Sequence, residues 1–299
     1  MSSMREIKNR ISATEKTSQI TRAMHMVSAA KLKKAERSIE AFRPLTKRLS
    51  RVLARVLSSD KELSHSMLEG RDVEKTVYII VSSDRGLAGP FNNNVFKAFE
   101  NYVNKQHDSK DEFVVAALGF KAFSFAKRKN YTLIHDKVIQ VRDDVQFLDF
   151  REITDTFIKG FLSGSYDKVV AFYTRYVNTL TQQVKQQTLI PLMDNPLLTL
   201  KDDNDNGDKK DKYTTIYHYE PSASSVLQEL LPMYIVNLLY GMILEAKASE
   251  HASRMTAMKS ATDNAKDLIS DLQLHYNRAR QDAITVELTD IIGGAEAVK

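Results

Sequence analysis

Residues 28–56 read SAAKLKKAERSIEAFRPLTKRLSRVLARV, and the spacing of apolar side chains in this stretch decides the fold. Apolar and small residues recur there in alternating steps of three and four, which is typical of a coiled-coil seam. The seam positions are Leu32, Ala35, Ile39, Phe42, Thr46, Leu49, Leu53 and Val56. The pattern predicts one long helix over about residues 2–57. Pro44 removes one backbone hydrogen bond, so we expect a kink there.

The same seam continues towards the N-terminus, where its side chains become small or polar. Its positions are Ser28, His25, Thr21, Ser18 and Thr14, followed by Ile11 and Ile7. A helix of this length extends roughly 80 Å at about 1.5 Å per residue, which exceeds the diameter of a small domain. Most of it must therefore pack on another long helix.

A second long helix is predicted over about residues 221–292. Its seam positions are Ala261, Ala265, Leu268, Leu272, His275, Ala279, Ala283 and Val286. Residues 246–265 are rich in Ala, Ser and Thr, and such small side chains let two helices approach closely. Pro221 suits a first helical position, where its missing N–H costs nothing. Because a separate domain joins the two helices, we expect them to run antiparallel.

Between the helices the sequence period changes and predicts a small α/β domain. Short β-branched runs predict strands at 76–81, 113–118 and 168–173, with a further strand at 181–189. Helix-like stretches cover 93–104, 121–129 and 147–162, and residues 201–212 read as a solvated loop. Strand–helix alternation favours parallel strands. The predicted fold class is therefore α/β: a long antiparallel two-helix coiled coil plus a central Rossmann-like α/β domain, with boundaries at 1–57, 58–219 and 220–299.

The composition excludes several classes of protein. The 299 residues contain no Cys, so disulfide frameworks, cysteine catalysis and thiolate metal sites are excluded. We expect no apolar run of about 18 residues and hence no membrane-spanning helix. The first residues lack the layout of a signal peptide, so we expect the protein to stay on the cytoplasmic side.

Positive charge is concentrated at the start of the chain. Through Leu57 there are 14 Lys+Arg against 4 Asp+Glu, in a chain whose net charge is +5. A basic segment of this kind could meet nucleic acid, anionic lipid or an acidic protein surface, or could simply be a solvated helix face.

The loop after the first predicted strand, residues 82–90 (SSDRGLAGP), is the one candidate for binding phosphate. The motifs G-x-G-x-x-G and G-x-x-x-x-G-K-[ST] are absent, so a structural turn is favoured over a nucleotide site. The His residues show no metal-ligand spacing. The pairs Asp143-Asp144 and Asp202-Asp203 lie in polar stretches and are interpreted as solvated surface. No catalytic, cofactor-binding or metal-binding residue is therefore assigned.

Several sequence blocks, taken in order, carry a family resemblance. They are residues 20–32 (ITRAMHMVSAAKL), 83–89 (SDRGLAG), 219–221 (YEP), 249–255 (SEHASRM) and 257–264 (AMKSATDN). The end of the chain is the most diagnostic part, with Ala279-Arg280-Gln281, Ile284-Thr285, Glu287, Asp290, Gly294-Ala295 and Ala297. Over essentially its whole length the chain resembles the γ subunit of F-type ATP synthase, the central rotor of F1.

The resemblance implies a function and a set of partners. The family couples ion flow through the membrane c-ring to conformational changes at the catalytic β subunits. The coiled coil is expected inside an α3β3 hexamer, and the α/β domain beside the ε subunit and the c-ring. One copy per complex is expected, with membrane contact only through the c-ring, with no nucleic acid and no cofactor. The isolated chain is expected not to be an enzyme.

The resemblance also implies contact residues. Met24, Arg254, Gln281, Thr285 and Glu287 match rotor positions that contact β subunits. Tyr217 and Glu220 match positions near the c-ring and ε. Val286 departs from the Gln that bacterial relatives often carry, which puts one polar contact in doubt.

Source and alternatives follow from the same sequence. Without Cys the redox switch of chloroplast relatives is not present. No transit peptide is recognised, which favours a bacterial protein, peripheral on the cytoplasmic side of the cell membrane. Two other readings remain: a basic coiled coil that binds nucleic acid, supported by charge alone, and a nucleotide-using α/β enzyme, weakened by the absent phosphate motifs.

Overall fold

The computed structural model describes residues 4–59, 63–144, 146–192 and 218–297. The predicted loop at 201–212 and Tyr217 lie outside these residues. The chain divides into two compact units, one made of residues 1–30 and 254–299 and the other of residues 31–253. The three predicted domain boundaries remain a prediction.

Five α-helices and four strands make up the regular structure of the described residues. The helices are α1 (Met4–Ser59), α2 (Phe91–Gln106), α3 (Phe120–Arg128), α4 (Phe147–Leu162) and α5 (Ala223–Ala297), with a short 3-10 helix at Lys110–Glu112. The strands are β1 (Thr76–Val81), β2 (Phe113–Leu118), β3 (Lys168–Tyr176) and β4 (Gln182–Ile190). Both α1 and α5 contribute residues to both units.

The unit of residues 31–253 is built around a four-stranded sheet with the order β2-β1-β3-β4. Strands β2, β1 and β3 are parallel, as predicted. Strand β4 pairs antiparallel with β3, because the short turn at 177–181 joins them as a hairpin. The sheet is therefore mixed, and only its first three strands have the Rossmann-like arrangement.

Both faces of the three parallel strands are buried, which explains why these strands are largely apolar, whereas β4 is polar and partly exposed. Successive side chains of a strand point to opposite faces. Thus Ile79 and its alternate neighbours pack against α4 and parts of α1 and α5. Tyr78 and Ile80 pack on the other face, against the phenylalanines of α2 and α3.

Within each unit α1 and α5 pair antiparallel, as predicted. In the unit of residues 31–253, Phe42 of α1 packs on Tyr240 of α5. Further along α1, the Ser50 hydroxyl donates a hydrogen bond to the Tyr234 hydroxyl of α5. As the residue number rises along α1, the residue number of its neighbour on α5 falls, so the two helices run in opposite directions. The predicted seam of α1 is correct, since each of its positions is buried or half-buried. Helix α1 continues through Pro44.

The predicted seam of α5 is partly wrong. Leu268, His275, Ala283 and Val286 are exposed. Predicted positions Ala261, Ala265, Leu272 and Ala279 are buried or half-buried. The buried and half-buried positions Met258, Thr262, Ala265, Ile269, Leu272, Tyr276 and Ala279 alternate in steps of four and three. Leu268 and Ile269 both fit steps of three and four between Ala265 and Leu272, and only the tertiary packing leaves Leu268 46% exposed while Ile269 is half-buried.

Two other expectations about α5 are corrected. Pro221 precedes the helix, which begins at Ala223. The hydroxyl of the preceding residue, Ser222, accepts a hydrogen bond from the Ser225 N–H at 3.2 Å. Contrary to expectation, α5 also contains an 18-residue window with a mean hydropathy of 1.4, enough in length and composition to cross a membrane. That window is 56% buried within the protein, as a core helix requires, and Leu231, Ile235 and Leu239 belong to the core beneath the sheet.

Candidate functional site

The C-terminal end of α5 is the most exposed helical surface among the described residues. Among the side chains of α5 that the structure describes, Ala279 is the last that is half-buried, and every side chain from Arg280 to Ile292 is exposed. The exposed set includes five apolar side chains, each between 49% and 66% accessible: Ile284, Val286, Leu288, Ile291 and Ile292. A helix end that shows this much apolar surface is suited to burial inside a partner.

Three of the predicted contact residues lie on this exposed end. Gln281, Thr285 and Glu287 are all exposed. The Thr285 hydroxyl donates to the Gln281 carbonyl oxygen at 2.9 Å, one helical turn earlier. Gln281 and Thr285 therefore share one helix face, as their spacing of four residues predicts. Their contacts with β subunits remain a prediction.

The other two predicted β contacts lie apart from this end. Arg254 is only 9% exposed, so most of its surface is already covered by the chain. Met24 is half-buried on α1. The structure therefore places Gln281, Thr285 and Glu287 together and does not bring Arg254 or Met24 to them.

A positively charged groove of about 240 Å³ runs between the two helices close to Met24. It is lined by Arg22, His25, Lys259, Thr262, Asp263 and Lys266. Lys266 pairs with Asp263 at 3.5 Å. Within the described part of the chain Arg22 and Lys259 form no ion pair, so the groove carries uncompensated positive charge. The basic N-terminal segment was the sequence signal for this positive groove. The sequence did not indicate that α5 forms the other side of the groove.

Glu220, a predicted c-ring or ε contact, is exposed just before α5. Its predicted neighbour, Tyr217, lies outside the described residues. The contact of Glu220 and Tyr217 with the c-ring and ε stays a prediction.

The candidate phosphate loop is occupied by the protein's own groups. Asp84 accepts the N–H of Phe120 at 2.9 Å and the N–H of Val141 at 3.0 Å. Ser82 Oγ accepts the N–H of Ala122 at 2.8 Å. Two donors in the first turn of α3 are thus satisfied by loop residues, and within the loop the Ser83 N–H donates to Asn92 Oδ1 at 3.0 Å. Both observations favour the structural turn over a nucleotide site.

Asp143 is exposed, as the sequence predicted, but its carboxylate belongs to an ion network that the sequence interpretation missed. Asp143 Oδ2 lies 2.6 Å from Lys31 Nζ, and its Oδ1 lies 3.1 Å from Lys247 Nζ and 3.2 Å from His251 Nε2. Lys247 also pairs with Glu250 at 2.9 Å. Lys247, Glu250 and His251 are buried. The sequence signal that could have revealed this network is the presence of Lys247, Glu250 and His251 within five positions of an otherwise apolar or small-residue stretch of α5.

This network changes the charge state of Asp143. Burial raises the pKa of its carboxyl, but the Lys31 hydrogen bond and the Lys247 and His251 charges together lower that pKa well below its ordinary value. Asp143 therefore stays ionised over the physiological range.

The fold and these surfaces define a class of protein: two long helices from the chain ends, paired antiparallel, with an α/β domain inserted between them. A family model described as ATP synthase matches residues 3–298. The chain belongs to this family, the F1 gamma family. Its role is that of the central rotor of ATP synthase.

Solved structures with a similar fold come from mitochondrial ATP synthases. One is from the central stalk and c-ring of the Tetrahymena thermophila enzyme, with 23% identity, a TM-score of 0.58, and coverage of 81% of this chain and 99% of that one. A second is from the Euglena gracilis OSCP/F1/c-ring assembly in rotational state 3, with 18% identity, a TM-score of 0.66, and coverage of 99% and 94%. A third is from the Euglena gracilis rotor in rotational state 1, with 15% identity, a TM-score of 0.61, and coverage of 94% and 98%.

Proposed function

We propose that this chain couples ion flow through a membrane c-ring to the catalytic β subunits by presenting different side chains to each β subunit as it turns. A rotor can bias three states only if it interacts differently with each of them. The observation that carries the proposal is the exposed end of α5. Its apolar side chains require a surrounding protein, and its polar face at Gln281 and Thr285 can contact one β subunit at a time.

The positive groove supports a second contact with the same partners. Arg22 and Lys259 have no ionic partner among the described residues, so an acidic loop of a β subunit complements them. Met24, on the neighbouring part of α1, belongs to the same proposed contact. Glu220 and Tyr217 belong to the proposed contact with the c-ring and the ε subunit, with one copy of the chain in each complex.

A reconstitution experiment tests this function. The chain, mixed with α and β subunits, is expected to form a complex whose ATP hydrolysis depends on the chain. A matched variant that ends at Arg280, and so lacks the exposed helix end, is expected to lower the yield or the activity of the complex. Failure of the full-length chain to enter any complex with α and β subunits contradicts the proposal.

The chain itself is proposed to be non-catalytic. The 82–90 loop supports this, because its Asp84 carboxylate and Ser82 hydroxyl are engaged by N–H groups of the protein itself and a carboxylate in the loop disfavours an anion. The purified chain, free of β subunit, is expected to show no ATP turnover and no saturable binding of ATP at micromolar concentration. Turnover that follows this chain through purification overturns the proposal.

The location is part of the same proposal: the cytoplasmic face of a bacterial cell membrane, reached only through the c-ring. The similar solved structures are mitochondrial. Fractionation of the source cells, with detection of the chain in washed membranes, separates a cell-membrane location from an organellar one.

A further inference from the structure

We propose that Asp143 is a positioning residue that fixes the α/β domain to the two long helices, so that rotation of the domain is passed to them without slip. This inference rests on the proposed rotor coupling. It assigns to one carboxylate a part of the mechanical link within the unit of residues 31–253.

The segment that carries Asp143 belongs to the α/β domain. It lies between the bridge that Ile139 forms with Leu118 at the end of β2 and the start of α4. Val141 in this segment is buried, and its N–H donates to Asp84 in the loop after β1 at 3.0 Å. The segment is thus anchored at the carboxyl ends of the central strand β1 and the edge strand β2, and Asp143 extends from that anchor.

The partners of Asp143 come from both long helices. Lys31 on α1 contacts one carboxylate oxygen, while Lys247 and His251 on α5 contact the other. Lys247 Nζ also donates to the Val141 carbonyl oxygen at 3.0 Å. One side chain of the domain is therefore held by α1 and α5 at the same time, and a twist of the domain relative to either helix must lengthen at least one of these contacts.

The directional character of these contacts distinguishes them from the apolar packing around them. Apolar packing is not directional and tolerates small sliding of one surface over another. Charge-assisted hydrogen bonds are short and depend on geometry. Because Lys247 keeps Glu250 as a second partner, replacing Asp143 does not leave a buried ammonium group unpaired. The variants can therefore fold while losing the link.

The experiment compares three variants in the assembled ATP synthase. Asp143→Asn keeps the shape and removes the charge, and Asp143→Glu keeps the charge. Asp144→Asn is the matched control, because Asp144 is exposed and forms no ion pair within the described residues. Membrane vesicles are assayed for ATP hydrolysis and for ATP-driven ion pumping, and the ratio of pumping to hydrolysis is the readout. The thermal stability of each complex is measured in parallel.

The expected result is specific to coupling. Asp143→Asn lowers the ratio of pumping to hydrolysis by about threefold, the order expected for loss of a partly exposed ion-pair contact. Asp143→Glu restores most of that ratio, and Asp144→Asn leaves it at the parental value. A residue with a merely structural role would lower thermal stability or yield and leave the ratio unchanged.

Other outcomes also decide the matter. If Asp143→Asn assembles and couples like the parent, the inference is wrong. If Asp143→Asn does not assemble, the variant Lys31→Met is used instead. This variant removes only the ion pair between α1 and Asp143, at a side chain that is 40% exposed. A lowered ratio in Lys31→Met supports the inference and a parental ratio overturns it. Failure of the parent chain itself to assemble with α and β subunits contradicts the proposed function instead.

Discussion

The hydroxyl oxygens of Thr21 and Thr262, 241 residues apart in sequence, lie 2.7 Å from each other in the buried seam between α1 and α5. A buried polar pair in a coiled-coil seam fixes the register of the two helices, because a shift of one helix along the other breaks the hydrogen bond between the two hydroxyls. In this half of the seam, small and polar side chains replace the leucines found further along α1. Register here therefore depends on a hydrogen bond more than on the shape of apolar side chains.

Thr21→Val is expected to lower the free energy of unfolding by about 1 kcal/mol, the net value of one hydrogen bond. The loss stays small because Thr262 keeps a hydrogen bond to the Met258 carbonyl oxygen at 2.8 Å. The double variant Thr21→Val/Thr262→Val is expected to lose less than the sum of the two single variants, which a double-mutant cycle by urea unfolding measures. The control is Thr17→Val, an exposed threonine of the same helix that bonds only to the Ala13 carbonyl. Equal losses for Thr21→Val and Thr17→Val contradict a role in register.

Gln281→Leu is expected to leave assembly intact and to lower ATP-driven ion pumping in membrane vesicles. The reason is that the proposed contact of Gln281 with a charged group of a β subunit is worth about 1.5–3 kcal/mol and exists at only some rotor angles. Because Gln281 is exposed in the chain itself, its loss does not disturb the helix pair. Gln106→Leu, the same change at an exposed position of α2, is the control. Parental pumping by Gln281→Leu refutes the assignment of this contact residue.

Arg254→Leu is expected to differ from Gln281→Leu in one measurable respect. Arg254 is nearly buried within the chain, and a buried guanidinium is tolerated only when it is paired, so its removal leaves a partner group unsatisfied. The isolated chain should therefore lose about 1–3 kcal/mol of unfolding free energy. Thermal unfolding of the isolated chain checks this, with the exposed Lys259→Leu as control. A parental melting temperature for Arg254→Leu shows that the residue is not required within the chain and favours a contact role alone.

Glu245→Gln is expected to change the pH dependence of stability. Burial raises the pKa of the Glu245 carboxyl, an effect that Arg175 and Arg43 partly offset, and its Oε2 is buried without a hydrogen-bond partner among the described residues. A raised pKa in the folded state means that the parent is most stable below the ordinary glutamate pKa of 4.5 and loses stability as the pH rises through the folded value. The glutamine variant lacks this loss.

Urea unfolding of parent and variant between about pH 4 and pH 8 measures the difference. The advantage of Glu245→Gln should be small at the acid end and grow towards neutral pH. Glu229→Gln, at an exposed position of the same helix, should follow the parent throughout. An advantage that is constant with pH would show that Glu245 does not titrate differently in the folded state.

Much of the local structure follows from periodicity. The alternating steps of three and four from Leu32 to Val56 place a seam on one helix face whatever the partner is, because a helix has a fixed number of residues per turn. The runs at 76–81 and 113–118 coincide with strands β1 and β2 because β-branched and apolar side chains throughout a short segment require burial on both faces. The blocks from Ile20 to Leu32 and around Gln281 were sufficient to indicate the family.

The tertiary structure alone decided which of several similar side chains has a role. Asp143 and Asp144 are indistinguishable in sequence, but only Asp143 meets Lys31 and Lys247, because those contacts depend on where two distant helices cross one loop. The same applies to Leu268 and Ile269, of which only Ile269 is half-buried, and to Asp84, whose carboxylate accepts the N–H groups of Phe120 and Val141. Periodicity is a property of one segment, so it can be read from the sequence of that segment alone. Contacts between segments depend on their relative placement in space, which the packing of the whole core determines.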